Sequence, residues 1–324
     1  MIQGFASERM QVFRRLPPAD QRDPCALTIG NFDGVHLGHR ALLEQLGRIA
    51  ARLGAPSCVL TFDPHPREFF AARSPGASAP ARISTLRDKL EALADAGVRR
   101  TCVVHFNERF AALEPEAFVE RVIVHGLRAR FVLIGDDFRF GAGRRGDFAL
   151  LEALGARHGF EVERMRTLAL GGERVSSSAV RAALAQADFA RVERLLGRPY
   201  AISGHVVHGR KLGRELGFPT LNLRIPHGRP ALGGIFVVRV HGLSDVPLAG
   251  VASLGTRPAV ETDGAPLLET HVLDWTGHAY GRVVRVEFLR KLREEAKYDG
   301  LDALVAQIRL DTEQARTHFA AAAR

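Results

Sequence analysis

Apolar residues in the first half of the chain follow two alternating patterns. Short continuous runs, Cys25–Ile29, Ser57–Phe62, Thr101–His105, Phe131–Ile134 and Phe160–Arg164, predict buried strands. Between them, Arg40–Leu53, Thr85–Ala96, Pro115–His125 and Phe148–His158 carry apolar residues at helical spacing. In the first of these they are Leu42, Leu43, Leu46, Ile49, Ala50 and Leu53. A further helix is predicted over Ser178–Gln186. Strands without polar alternation are covered on both faces, so the pattern predicts an open parallel α/β sheet. Ligands of such sheets bind beyond the carboxyl ends of the strands. His36, His39, His65 and Asp137 all fall at that edge.

From about Tyr200 the pattern changes. Ile202–Val207, Ile235–Val240, Leu268–Leu273 and Val283–Phe288 are short, valine-rich and separated by glycine, proline and aspartate. They predict an antiparallel β-barrel or sandwich, closed by an amphipathic helix over Leu301–Phe319. Asp188–Arg198 reads as a linker, which places the expected domains at residues 1–187 and 188–324. Ala71–Ala81, with Pro75, Gly76 and Pro80, reads as a surface loop.

A length of 324 residues agrees with two domains. The net charge of +9 comes from scattered arginines and lysines, not from basic blocks interleaved with aromatics. Phosphate-bearing small molecules therefore account for it as well as nucleic acid does. Cys25, Cys58 and Cys102 lie in apolar runs, at spacings that match neither a zinc site nor a disulfide framework. They read as small buried hydrophobes. The first 23 residues hold charges and prolines instead of an apolar signal core, and no run is long enough to span a bilayer. A cytoplasmic protein without membrane association is expected.

The densest candidate chemistry follows the first strand: Gly30, Asn31, Phe32, Asp33, Gly34, Val35, His36, Leu37, Gly38, His39. Two histidines three residues apart stand where a strand turns into a helix. A helix N-terminus attracts anions, and the glycines allow close approach of a ligand. This combination suits a polyphosphate. Thr61-Phe62-Asp63-Pro64-His65-Pro66 holds His65 between prolines at a strand end. Gly135–Gly146 includes Asp137, Phe138 and a G-x-G-x-x-G match at residues 141–146, but Gly135–Phe140 separate that match from its strand, which weakens it. Ser176, Ser177 and Ser178 open a helix that carries Arg181 on its first turn, an arrangement able to clamp phosphate.

In the second half, Gly204–Gly217 is a basic, glycine-rich loop containing Lys211. Thr220 and Asn222 alternate along the following strand and so face the same way. Neutral oxygens of this kind suit a magnesium ion whose other ligands are phosphate and water. Glu269 lies in an otherwise apolar strand, where a carboxylate is either paired to an arginine or acts as a general base. The residues alone also admit a nucleotidyltransferase with another acceptor, or a nucleic-acid-binding barrel.

Taken in order, these motifs resemble the bifunctional bacterial riboflavin kinase/FMN adenylyltransferase family, also called FAD synthetases. The resemblance runs from about Cys25 to Arg316. It includes G-x-F-D-G-x-H-x-G-H at Gly30, T-F-D-P-H-P at Thr61, G-x-D-F-x-F-G at Gly135 and S-S-x-x-x-R at Ser177. In the second half it includes G-F-P-T-x-N at Gly217, E-x-H at Glu269 and the tail Leu292–Tyr298. Leu221 stands where alanine is common, and Ser253 where asparagine is common.

The resemblance implies two reactions and a set of roles. Glu269 would be the base for riboflavin phosphorylation, with Mg²⁺ near Thr220 and Asn222. His36, His39 and Arg181 would act on the triphosphate of a second ATP as FMN is adenylylated. Gly30, Asn31, Phe32, Gly34, His65, Asp137, Phe138, Ser177, Gly204, Lys211, Gly217 and Arg293 would line the binding sites. ATP, riboflavin and FMN are the implied substrates. No nucleic-acid or membrane partner is implied, and a homo-oligomer is left open.

Overall fold

A computed structural model describes residues 10–209, 213, 216–226, 229–256 and 266–322. The chain forms two compact units. One takes the residues up to Pro80 together with Lys89–Ser176. The other takes Ala81–Asp88 and the chain from Ser177 onwards.

The first unit is built on six parallel strands: β1 (Gln11–Phe13), β2 (Cys25–Ile29), β3 (Ser57–Asp63), β4 (Arg100–His105), β5 (Ala129–Gly135) and β6 (Glu161–Met165). Their order in the sheet is β1-β4-β3-β2-β5-β6. From β2 the chain moves one way to β3 and β4, then returns to the other side of β2 for β5 and β6. The order therefore reverses between β2 and β5, which opens a crevice at their carboxyl ends.

Helix α1 (Leu37–Arg52) joins β2 to β3, while α2 (Pro66–Ala71) and α3 (Leu86–Asp95) lie between β3 and β4. Before β5 come α4 (Glu108–Ala111) and α5 (Pro115–Phe118), the latter continuing as a π-helical turn over Val119–Val124. α6 (Phe148–His158) precedes β6. Residues of the strands alternate between two cores. Cys25, Leu27, Cys58, Leu60 and Cys102 pack on one side with Val119, Val122 and Leu151. Ala26, Val59, Phe131 and Leu133 pack on the other with Leu42, Leu46, Ile49 and Leu93. Both faces are covered, so the strands carry no polar alternation.

The three cysteines are buried and free. Burial pushes the Cys102 thiol up to about 12. A hydrogen bond to Cys25, then burial, raises that of Cys58. Cys58 and Cys102 stay protonated, as small apolar fillers should.

A hairpin, β7 (Ala169–Leu170) and β8 (Glu173–Arg174), ends this unit. In the second unit, α7 (Ser177–Ala185) is followed by α8 (Phe189–Leu196). The stretch expected to be a linker is thus mostly helix. Asp188 caps it by accepting the Arg191 N–H, Gly197 closes it at φ 71°, and Val192, Leu195 and Leu196 are buried. Phe189 packs on Phe236 and Phe288, so this stretch is part of the core.

The strands β9 (Ala201–Val207), β10 (Thr220–Arg224), β11 (Gly234–His241), β12 (Leu248–Thr256), β13 (Pro266–Val272) and β14 (Val283–Arg293) follow. They form a closed barrel in the order β10-β13-β12-β11-β14-β9, with every neighbouring pair antiparallel. Of the two architectures expected, the barrel is the one found. β12 escaped the pattern because its apolar residues are small and broken by Gly250 and Gly255. Gly204 lies within β9, so the glycine-rich loop begins after that strand.

Leu221, Thr270, Ala252 and Phe236 are neighbours across four strands and are buried. They belong to the barrel interior, and the alternate residues face outward. Helix α9 (Leu301–Ala322) covers part of the outside, with Ala315 against Val237 and Leu273. Two arginine–carboxylate pairs hold it, Arg293 to Asp311 and Arg316 to Asp274.

Ala81–Asp88 forms a strap on this second unit, far in sequence from the barrel. Arg82 exchanges backbone hydrogen bonds with Arg229 and Ala231. The Tyr200 hydroxyl donates to the Ile83 carbonyl at 2.9 Å, and the Ser203 N–H to Asp88 at 3.0 Å.

Candidate active sites

The first site grows from the carboxyl end of β2. Phe32, Gly34 and Val35 have φ of 47°, 84° and 41°. Such values are unusual for phenylalanine and more so for β-branched valine. The tight turn brings His36 to the N-cap of α1, where its Nδ1 accepts the His39 N–H at 3.3 Å. That bond leaves the proton of a neutral His36 on Nε2. α1 begins at Leu37, three residues before the periodicity shows it, because the cap itself is polar. The two imidazoles stack with centroids 3.7 Å apart, and the Phe32 ring lies 4.9 Å from that of His39. A Cβ on Gly38 would come within 3.2 Å of the His36 ring and 3.3 Å of the Val175 carbonyl.

Burial, then His36 and Lys89, hold His39 well below its ordinary 6.5. His39 is therefore a neutral hydrogen-bonding group near pH 7, not a cation. Its Nδ1 and the Asn31 Oδ1 are buried and have no hydrogen-bond partner among the described residues. Two such orphaned atoms within one sequence motif suit a polar ligand.

His65 and Asp137 follow the carboxyl ends of β3 and β5, which flank β2. His65 caps α2. Its Nδ1 accepts the Arg67 N–H at 3.1 Å while Glu68 accepts its own N–H. That ring nitrogen is committed to the local turn. Asp137 is 3.6 Å from Arg174 on the surface, and Phe138 stacks on Phe140. Residues 141–146 form a small loop closed by two hydrogen bonds between Phe140 and Gly146. A Cβ on Gly146 would strike the Phe140 ring at 2.7 Å, so this glycine serves aromatic packing. Ser177 and Arg181 lie on α7 in the second unit, where the Arg181 Nε donates to the Ala81 carbonyl at 2.6 Å.

The second site lies on the outer face of the barrel. Asn222 on β10 stands directly opposite Glu269 on β13, which stands opposite Ser253 on β12. Directly opposed residues point the same way, so one row carries all three. Thr220 is opposite His271 in the next outward row. The Asn222 Nδ2 donates to the Thr220 carbonyl at 3.3 Å, while its buried Oδ1 has no partner among the described residues. Gly209 lies over this amide, where a Cβ would meet it at 2.6 Å. His271 is held by the Pro219 carbonyl at 2.9 Å and by the edge of the Phe218 ring. Gly217 turns at φ 86° just before. Leu221, the larger substitute for alanine, points into the interior and so leaves the outward row clear.

Glu295 was not singled out by the sequence, yet its carboxylate accepts the Ser253 hydroxyl at 3.2 Å and fills the space above Gly255. Arg293 faces Ile235 in register with the same row. Its guanidinium grips Asp311 through three contacts of 2.6–3.2 Å. Lys211 lies outside the described residues. Among the described residues no three His, Cys, Asp or Glu side chains could together hold a metal, and no helix is long and apolar enough to cross a membrane.

Known proteins match over both units. A family model described as FAD synthetase matches residues 19–179, and one described as riboflavin kinase matches residues 196–319. The bifunctional riboflavin kinase/FMN adenylyltransferase of Escherichia coli strain K12 is 47% identical over 298 residues, covering 92% of this chain and 94% of the relative. That of Haemophilus influenzae is 44% identical over 311 residues, covering 96% and 99%. A crystal structure from Streptococcus pneumoniae, described as a macrolide-efflux protein, superposes with a TM-score of 0.71 at 26% identity, covering 95% of this chain and 98% of the other.

Proposed function

On the premise that the chain belongs to the bifunctional riboflavin kinase/FMN adenylyltransferase family, we propose that its two reactions divide between the two sites. The protein phosphorylates riboflavin to FMN with ATP, then adenylylates FMN to FAD with a second ATP and releases pyrophosphate. The first reaction is assigned to the domain of residues 188–324 and the second to that of residues 1–187. What carries the division is that, among the described residues, the orphaned buried atoms of the two motif sets fall in different compact units, Asn222 Oδ1 in one and His39 Nδ1 with Asn31 Oδ1 in the other.

In the kinase reaction, Glu269 takes the proton from the ribityl 5′-hydroxyl, and the freed oxygen attacks the γ-phosphate. The Asn222 Oδ1 and the Thr220 hydroxyl fit a hard cation, since both are neutral oxygens and the first lacks a partner among the described residues. They would hold Mg²⁺, which supplies neutralising charge to the phosphates. Gly217 and, by the resemblance, Lys211 serve nucleotide binding, whereas Gly204 faces the buried Leu223 inside the barrel. Arg293 supports the row from the barrel's last strand.

In the adenylyl transfer, an FMN phosphate oxygen attacks the α-phosphate of ATP and pyrophosphate departs. No covalent enzyme intermediate is required. His36 and His39 donate hydrogen bonds to the triphosphate, His39 as a neutral imidazole. The charge that the resemblance assigns to Arg181 sits on α7, in the second unit. Gly30, Asn31, Phe32, Gly34, His65, Asp137 and Phe138 shape the site, while Ser177 begins α7 in the second unit. Catalysis of this kind works by placement and electrostatics. A cytoplasmic location fits the need for ATP in both reactions.

Incubation with riboflavin, ATP and Mg²⁺, with the flavins separated over time, tests the reading. FMN appears first and FAD follows. Riboflavin left unchanged would overturn it.

A further inference from the structure

Transfer between phosphates calls for positive charge, yet His39 is held neutral. A buried cation lies close by. Lys89 on α3 is 1% exposed. It occupies the face of that helix that also carries Ala92 and Leu93, where helical periodicity calls for an apolar residue. Lysine is almost never this buried without a compensating role.

The lysine is tied to the first site by a short relay within one unit. The Lys89 Nζ donates to the Thr61 Oγ1 at 3.4 Å, and that hydroxyl donates to the Asn31 carbonyl at 3.2 Å. Asn31 immediately precedes Phe32, where the backbone enters the left-handed region. A turn with phenylalanine and valine at positive φ persists only where its surroundings hold it. The Lys89 charge also acts on His39.

We propose that Lys89 is a positioning residue for adenylyl transfer: through Thr61 it fixes Asn31 and the turn bearing the His36–His39 stack. This rests on the assignment of adenylyl transfer to that stack. Misplacing a site by a fraction of an ångström costs turnover more than ground-state binding.

Lys89→Met keeps the length and removes the charge and the donor. In the full-length protein, kcat for FAD formation from FMN should fall at least tenfold. KM for ATP should stay within threefold, and FMN formation from riboflavin within twofold. Thr61→Val should lower the same kcat, and the double variant should be no worse than Lys89→Met alone, because the two act through one relay. Unchanged kcat in Lys89→Met, equal loss of both activities, or additive losses in the double variant would overturn the proposal. Should Lys89→Met fail to fold, a Thr61→Val variant with normal kcat would overturn it by itself. A His36→Ala, His39→Ala variant is the control. If it still makes FAD, the site assignment falls and this proposal falls with it. If it loses FAD formation and Lys89→Met does not, only the role of Lys89 is refuted.

Discussion

Glu269 and Asn222 face one another across β13 and β10, so the proposed base and the proposed metal ligand are nearest cross-strand neighbours. Replacing Glu269 by glutamine keeps the shape of the row and removes the proton acceptor. FMN production should fall by about two orders of magnitude or more, the scale of a lost general base. FAD formation from supplied FMN should persist. Near-normal phosphorylation by Glu269→Gln would take that role away from it.

The Asn222 Oδ1 is the orphaned atom of this row, so Asn222→Leu should raise the Mg²⁺ concentration needed for half-maximal kinase activity. Thr220→Val should do so to a similar degree. A Mg²⁺ titration that is superimposable on the wild type in both variants would argue that the cation is held elsewhere.

His36→Ala combined with His39→Ala should abolish FAD synthesis while riboflavin phosphorylation survives. Because burial keeps the His39 pKa well below 6.5, its charge state does not change as the pH drops to that value. The folded protein takes up that proton only at lower pH, whereas the unfolded chain takes it up near 6.5. Stability therefore begins to fall as the pH drops below 6.5, and stops falling on this account once the folded His39 is itself protonated. FAD formation at saturating substrates should therefore show no step attributable to His39 near pH 6.5. A step there that disappears in His39→Ala would mean that His39 titrates normally.

Much of this was legible in the sequence because burial on both faces leaves continuous apolar strands, and because motif residues cluster where strands end. The remainder depends on distance along the chain. Nothing local announces that Ala81–Asp88 belongs with the barrel, since its partners Tyr200, Ser203 and Arg229 are remote. Asn222 could be matched to Glu269 only through the strand order of a closed barrel. Lys89 is invisible within an ordinary amphipathic repeat, because one polar residue on an apolar face looks like noise until its burial is known. Helix α8 is short enough to pass for a linker in the sequence, although Asp188 and Gly197 mark both of its ends.

Arg293 was expected to contact a ligand, and the geometry gives it a mechanical task. Its side chain is 23% exposed and that of Asp311 4%. Arg293→Ala would strand a buried carboxylate and should destabilise the second unit by about 3 kcal/mol. Urea denaturation measures this. A variant with unaltered stability and a raised KM for flavin or ATP would return Arg293 to the binding surface.

The two activities should be separable, with the strap setting the condition. A fragment spanning Asp188–Arg324 should phosphorylate riboflavin without making FAD. It lacks Ile83 and Asp88, partners of Tyr200 and Ser203, so it should unfold at lower urea concentration than a fragment to which Ala81–Asp88 has been linked. Equal stability of the two fragments would show that the strap contributes nothing. A folded fragment without kinase activity would show that the site needs residues from elsewhere.

The barrel's alternation has a further consequence. Every strand of the kinase site carries two sequences interleaved residue by residue, and they answer to different demands. Leu221, Leu268, Ala252 and Phe236 answer only to volume and shape, whereas Thr220, Asn222, Glu269 and Ser253 answer to chemistry. Changes to the first set can tune melting temperature to a new habitat while turnover is preserved. Changes to the second can alter substrate preference on an unchanged framework.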